Sequence, residues 1–259
     1  MKSGLHRYQS IAIYSLFRIG IMILILLLSL PSQAIPPHYQ AKFEQQVSLH
    51  YQRLSPHKKV INNQFTRHQK TVQHIIQQLD KNKLPRSMIL IPMIESTFDQ
   101  HAVSHAKAAG LWQLMPATAK RFGLTVSNQQ DERFNIARST EAAMQYLIFL
   151  YNKFDRDLKL TLAAYNSGEG RVQRALKRVV DKHFSALRLP NETVDYVHKF
   201  YALAKLVNLK TLANPSTGSH FPPSTSTVSA HHEVRFLKQL FETKTVINME
   251  PIQPLVHLN

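Results

Sequence analysis

Between Tyr39 and Lys83 apolar side chains recur at helical intervals: Val60, Phe65, Val72, Ile75, Ile76 and Leu79 stand among Gln, Asn, Lys and His. Such spacing lines one face of a helix and predicts an amphipathic helical stretch, closed by Leu84-Pro85. Ser87–Thr97 is apolar and follows a proline at a favourable start position, so it reads as a short buried helix. Phe98–Ala109 is a loop of small and polar residues. The next helix begins near Met115-Pro116, contains Ala117-Thr118-Ala119 and stops at Gly123. Asp131–Thr140 reads as irregular. Helices are expected over Glu141–Phe154, Leu158–Tyr165, about Gly170–Asp181 and about Thr193–Asn208. No alternation of apolar and polar residues is long enough for a strand, so the expected fold class is all-α.

The pattern changes at both ends. Lys2, His6, Arg7 and Arg18 precede an apolar run, Ile19–Leu30, and then come Pro31 and the small-residue segment Ser32-Gln33-Ala34. This is the order of a signal peptide over residues 1–34. Ile11–Phe17 can extend the run across Arg18, which leaves an uncleaved anchor as the alternative. Either reading places the rest of the chain outside the cytoplasm. Residues 35–59 form a lead-in and 60–212 the main domain. Asn214–Ser229, rich in Ser, Thr and Pro, reads as a flexible linker inside a low-structure tail, 213–259, with one short helix at Val234–Phe241.

Composition narrows the partners. Of 259 residues, 32 are Lys or Arg and 16 are Asp or Glu, a formal charge of +16. That excess predicts attraction to polyanions such as an acidic cell wall or membrane surface. Nucleic acid also fits the charge, but the expected export argues against it. There is no cysteine, which excludes thiolate chemistry and disulfides. The 14 histidines are scattered without HExxH-type spacing, so neither a metal site nor a cofactor is expected.

Four segments carry candidate chemistry. The first is Ile91-Pro92-Met93-Ile94-Glu95-Ser96-Thr97-Phe98. Ala102-Val103-Ser104, with Ala108-Ala109-Gly110-Leu111-Trp112-Gln113-Leu114-Met115-Pro116-Ala117-Thr118, is the second. Ala163-Ala164-Tyr165-Asn166-Ser167-Gly168-Glu169-Gly170-Arg171-Val172 follows, and then Leu189-Pro190-Asn191-Glu192-Thr193-Val194-Asp195-Tyr196-Val197. Glu95 ends an apolar run, where burial would raise its pKa into the range a general acid needs. Taken alone, it reads first as a helix-end carboxylate turned to solvent, and the surrounding motif reverses that order.

In this order, over roughly residues 60–208, the four segments resemble the lytic transglycosylase catalytic domain (SLT domain, glycoside hydrolase family 23), in its murein transglycosylase D-like branch. The resemblance implies a lysozyme-like helical domain that cuts the β-1,4 bond between MurNAc and GlcNAc in peptidoglycan strands. Glu95 is then the single catalytic acid/base and 1,6-anhydro-MurNAc the product. No second carboxylate has comparable context: Asp99, four residues on, falls in the expected loop where the family commonly has Asn. A lysozyme-type muramidase and a non-catalytic wall-binding protein on the same scaffold are the alternatives.

Residues matching Ser104, Gln113 and Met115 line the family's groove, while Tyr165 and Asn166 offer a ring face and an amide to the sugar. Tyr196 matches a tyrosine beside the acid, and Glu192 either orients the site or only complements a helix N-terminus. Ser96 is read as bonding locally, Trp112 as core before sugar platform, and Asp131-Glu132-Arg133 as a structural loop. His105, Lys107, Val194 and His198 depart from the family pattern. The resemblance implies a monomer in the periplasm or cell envelope.

Overall fold

Two runs of the chain are described by the computed structural model, residues 36–213 and 235–241. The expected signal segment, the linker and the tail other than 235–241 lie outside the described residues. The chain divides into two units, Met1–Gln40 and Ala41–Asn259. Of the first, only residues 36–40 are described, and they start α1 (Pro37–Leu54).

The long amphipathic stripe is cut into α1, α2 (Lys58–Arg67) and α3 (Gln69–Lys81). A 3-10 turn at Ser55–His57, with Pro56 in its first turn, makes the first break. His68 makes the second, with φ −101° and ψ 26°. Each piece keeps one buried face: Phe43, Val47 and Leu54 in α1, Ile61 and Phe65 in α2, Val72, Ile75, Ile76 and Leu79 in α3. After Pro85, a 3-10 turn (Arg86–Ile89) runs into α4 (Leu90–Ser96), where Leu90, Ile91, Pro92 and Met93 are all buried. A helix apolar on every side must lie inside the protein. It ends with Thr97 and Phe98 both left-handed, at φ 53° and 64°.

α5 (Pro116–Arg121) starts at a proline as expected, and Gly123 follows it at φ 86°. The stretch read as irregular, Asp131–Thr140, is largely helical. A 3-10 turn covers Glu132–Phe134, and α6 (Ile136–Lys153) starts five residues before the expected Glu141. Two side-chain caps explain this: Asp131 accepts from the Arg133 N–H at 3.1 Å and Asn135 from the Arg138 N–H at 3.0 Å. Asn135→Ala should therefore cost about 1 kcal/mol in urea denaturation without changing the fold.

α7 (Leu158–Ser167), capped by Asp157, packs against α6, α8 (Glu169–Leu176) and α9 (Asn191–Leu206). Its Ala163 and Ala164 are fully buried, and their small side chains let the neighbours approach. α8 stops short of the expected Asp181, and Lys182 donates to the Leu176 carbonyl left at its end and to the Val179 carbonyl beyond it. α9 packs on α4, which sets the end of the buried helix beside the face carrying Tyr196. α10 (Leu209–Ala213) packs on α3.

The expected tail helix is formed at 235–241, and we call it α11. Leu237 and Phe241 are buried, and Lys199 Nζ donates to the Phe241 carbonyl at 2.7 Å. Among the described residues there is no strand, only three isolated bridges: Val103–Ala109, Ala109–Leu114 and Val126–Asp131. No described helix is long and apolar enough to cross a membrane. The fold is all-α.

Candidate active site

Glu95 is the next-to-last residue of α4. Its side chain is half-buried, so a ligand can reach a carboxyl whose surroundings still disfavour its charge. Burial, the largest influence, lifts its pKa from the ordinary 4.5 to about 7; the Glu192 charge pushes the same way and the Tyr196 hydroxyl opposes both. The acid form therefore persists toward neutral pH.

Tyr196 is buried in α9, and its hydroxyl forms no well-shaped hydrogen bond among the described residues. It stands close enough to Glu95 to steady the ionised carboxyl, and burial followed by the Glu95 charge pushes its own pKa well up. Tyr165 feels the same carboxylate. Its hydroxyl is committed, donating to the Trp112 carbonyl at 2.7 Å, and its ring rests on Tyr146 with centroids 5.4 Å apart. Only the exposed part of the Tyr165 ring is left for a ligand. Glu192 is exposed in the first turn of α9, so it both complements the helix end and acts on Glu95 from a distance.

The remaining expected residues make no direct contact with Glu95 among those described. Gln113, left-handed at φ 45°, donates both amide hydrogens inward, to the Ala102 carbonyl at 3.0 Å and the Gly110 carbonyl at 2.9 Å. Its side-chain oxygen makes no hydrogen bond among the described residues. Ser104 Oγ accepts from the Ala108 N–H at 3.0 Å, which ties it to its own loop. Met115 is exposed at the start of α5, and Asn166, half-buried near the end of α7, keeps its amide unengaged among the described residues.

What holds this loop is Arg133, read from sequence only as part of a structural loop. Its guanidinium donates to the Lys107 carbonyl at 2.7 Å, the Leu114 carbonyl at 3.0 Å and Asp131 Oδ2 at 2.6 Å. Gly110 passes so close that a Cβ there would lie 2.0 Å from the Arg133 carbonyl oxygen. Ser96 does more than bond locally, since its Oγ also donates to the Leu111 carbonyl at 2.8 Å, locking the loop to the helix that carries Glu95. Trp112 is fully buried and its indole N–H donates to Thr140 Oγ1 at 3.1 Å, so it is core.

Asp99 is occupied. Its oxygens accept from Lys238 Nζ at 2.8 Å and the His101 N–H at 2.9 Å. Burial pulls its pKa up, but these donors outweigh it and hold the carboxyl below its usual range. Glu95 is thus the carboxyl whose environment favours the acid form. A surface hollow lined by His74, Gln78, Asn82 and Glu141 contains none of the expected site residues.

Residues 73–187 match the family model described as the transglycosylase SLT domain. Over 134 residues the chain is 43% identical to membrane-bound lytic murein transglycosylase D of Escherichia coli K12, a match covering 50% of this chain and 30% of that one. It is 33% identical over 128 residues to membrane-bound lytic murein transglycosylase C of Histophilus somni, covering 44% and 35%. The X-ray structure of an inactive mutant of lytic transglycosylase Slt from Pseudomonas aeruginosa is also similar, at 29% identity and TM-score 0.41, over 50% of this chain and 23% of that one. The chain thus spans about a third of the length of the murein transglycosylases it matches.

Proposed function

We propose that this chain, in which residues 73–187 form a transglycosylase SLT domain, is a peptidoglycan lytic transglycosylase that cuts the β-1,4 bond between MurNAc and GlcNAc. Glu95 carries the reading: a half-buried carboxyl, raised to about 7 and backed by Tyr196. Glu192 is exposed and Asp99 is tied to Lys238.

The chemistry follows from one group used twice. Protonated Glu95 gives its proton to the glycosidic oxygen as the bond to the MurNAc C1 breaks, and the resulting carboxylate faces the developing positive charge on the sugar. It then takes the proton of the MurNAc C6 hydroxyl while that oxygen bonds to C1, closing a 1,6-anhydro ring and restoring the acid. Water is not consumed, which is why one carboxyl suffices. The Gln113 oxygen, the Asn166 amide, Ser104, Met115 and the Tyr165 ring are the groups proposed to hold the strand. The net charge of +16 favours approach to an anionic wall or membrane surface in the periplasm or cell envelope, with the chain acting as a monomer.

Mass spectrometry of digested sacculi tests this directly. Anhydro-MurNAc ends are expected, whereas reducing MurNAc alone would assign the site to a muramidase. Failure to release any fragment would leave a wall-binding protein.

The Tyr196 hydroxyl offers a finer test. It favours ionised Glu95, so Tyr196→Phe should move the alkaline limb of the pH–rate profile upward from about pH 7. Losing this polar contact, about 0.5–1.5 kcal/mol, should lower kcat about 2–10-fold. An unshifted limb would mean that Tyr196 only packs.

A further inference from the structure

Scattered along the sequence, two histidines meet in space. His50 in α1 and His198 in α9 are each 5% exposed, and both lie against Asp195, one turn before His198. One nitrogen from each imidazole and one Asp195 oxygen all fall within 4.8 Å of one another. His50 Nε2 is 3.6 Å from Asp195 Oδ1, and the two imidazoles stack with centroids 6.2 Å apart. We propose that His50, Asp195 and His198 form a divalent transition-metal site, suited to Zn2+, that ties α1 to α9.

The donor set fits that ion. Two neutral imidazoles and a carboxylate are borderline ligands of the kind Zn2+ takes, and three protein ligands leave a fourth position for water. Tetrahedral Zn2+, with bonds of about 2.0–2.2 Å, places its ligand atoms about 3.3 Å apart. The observed cluster therefore needs only modest contraction. Partial exposure of the Asp195 side chain, 23%, gives the ion an entry path.

A second observation points independently to a ligand. His198 Nδ1 is buried and has no hydrogen-bond partner among the described residues. Leaving a buried polar nitrogen unmatched is costly, and metal coordination would satisfy it. Phe43 and Phe184 pack around the His198 ring, with centroids 4.9 and 6.2 Å away, and keep this side of the cluster dry. Burial also lowers the pKa of both imidazoles and so favours the neutral form that binds metal. Against the ion stand the cationic Lys199 and Arg53 near His50 and Lys159 near His198. Their repulsion argues for a moderate affinity.

The site lies beside the proposed active centre in sequence, since Asp195 precedes Tyr196 on α9. A bound ion would hold that helix to α1. Its existence does not depend on the chemistry assigned to Glu95, and the test needs no activity.

Titrate the full-length chain with Zn2+ against a chromophoric chelator, and record the visible spectrum with Co2+ in its place. The expected result is one ion per chain, a dissociation constant on the order of 1–10 µM, and the intense Co2+ bands of a tetrahedral site. His198→Ala and Asp195→Asn should each weaken binding by about tenfold or more. His105→Ala and Glu95→Gln should leave it unchanged. The same affinity in Asp195→Asn and His198→Ala as in the parent would place the ion on other histidines and overturn the proposal, as would no binding at all. Asp195→Asn is close in shape and half-buried, so it decides the matter even where His198→Ala fails to fold.

Discussion

Glu95→Gln should lower sacculus solubilisation by about 10²–10⁴-fold, the usual contribution of a positioned acid/base group, while the protein stays folded. The amide has the shape of the carboxyl but neither releases nor accepts the proton that both halves of the proposed reaction require. The same variant should be more stable than the parent, in a pH-dependent way. In the folded chain burial lifts the Glu95 pKa to about 7 from an ordinary 4.5, so the folded state binds the proton more tightly than the unfolded one. The cost of charging Glu95 is absent below about pH 4.5, grows as the pH rises and is fully present above about 7. Solvent contact at the half-buried side chain limits it to about 1–3 kcal/mol. Urea denaturation at pH 8 should therefore show Glu95→Gln stabilised by that amount, with the gain gone at pH 4. Retained activity would refute the catalytic assignment, and equal stability at both pH values would refute the buried-carboxyl account.

Among the described glycines, Gly110→Ala should be the most damaging change. Gly110 sits at φ 78°, and a Cβ there would lie 2.0 Å from the Arg133 carbonyl oxygen and 2.8 Å from its carbon. That backbone cannot retreat easily. Arg133 is fixed through its side chain to Asp131 and to the Lys107 and Leu114 carbonyls on the loop that Gly110 belongs to. Left-handed strain of about 1–2 kcal/mol and overpacking of about 1–3 kcal/mol together give about 2–5 kcal/mol. Activity should fall with stability, because Gln113 donates to the Gly110 carbonyl. Gly123→Ala is the control. Its φ of 86° carries the same strain, but no atom lies within 4 Å of the added methyl. Only about 1–2 kcal/mol is expected there, and equal losses at both positions would remove the role given to the Arg133 contact.

Local signals were sufficient for much of the helical frame. Proline at Pro116 and glycine at Gly123 act within a turn, so α5 is legible from adjacent residues. The stripe from Val60 to Leu79 declares its buried face for the same reason. Asp131–Thr140 reads as irregular because two short polar caps, Asp131 and Asn135, have the composition of loop residues, and only folding sets their oxygens on the N–H groups of Arg133 and Arg138. The break at His68 carries no proline or glycine, and sequence offered no reason to divide α2 from α3 there.

By itself, the order of residues determined the all-α class, an apolar segment ending in one carboxylate, and the four segments whose combination resembles a transglycosylase domain. Whether Glu95 pointed to water or into its neighbours was undecidable from its flanks. Its raised pKa comes from burial where α4 meets α9, and the same contact brings Tyr196, far along the chain, close enough to oppose it. The tertiary structure alone also turned Asp131-Glu132-Arg133 into the clamp of the Lys107–Leu114 loop, engaged Asp99 with Lys238, and gathered His50, Asp195 and His198. Helix periodicity is a property of near neighbours and survives in the sequence. A pKa, a clamp or a ligand set depends on distances between residues far apart in the chain, and only packing fixes those.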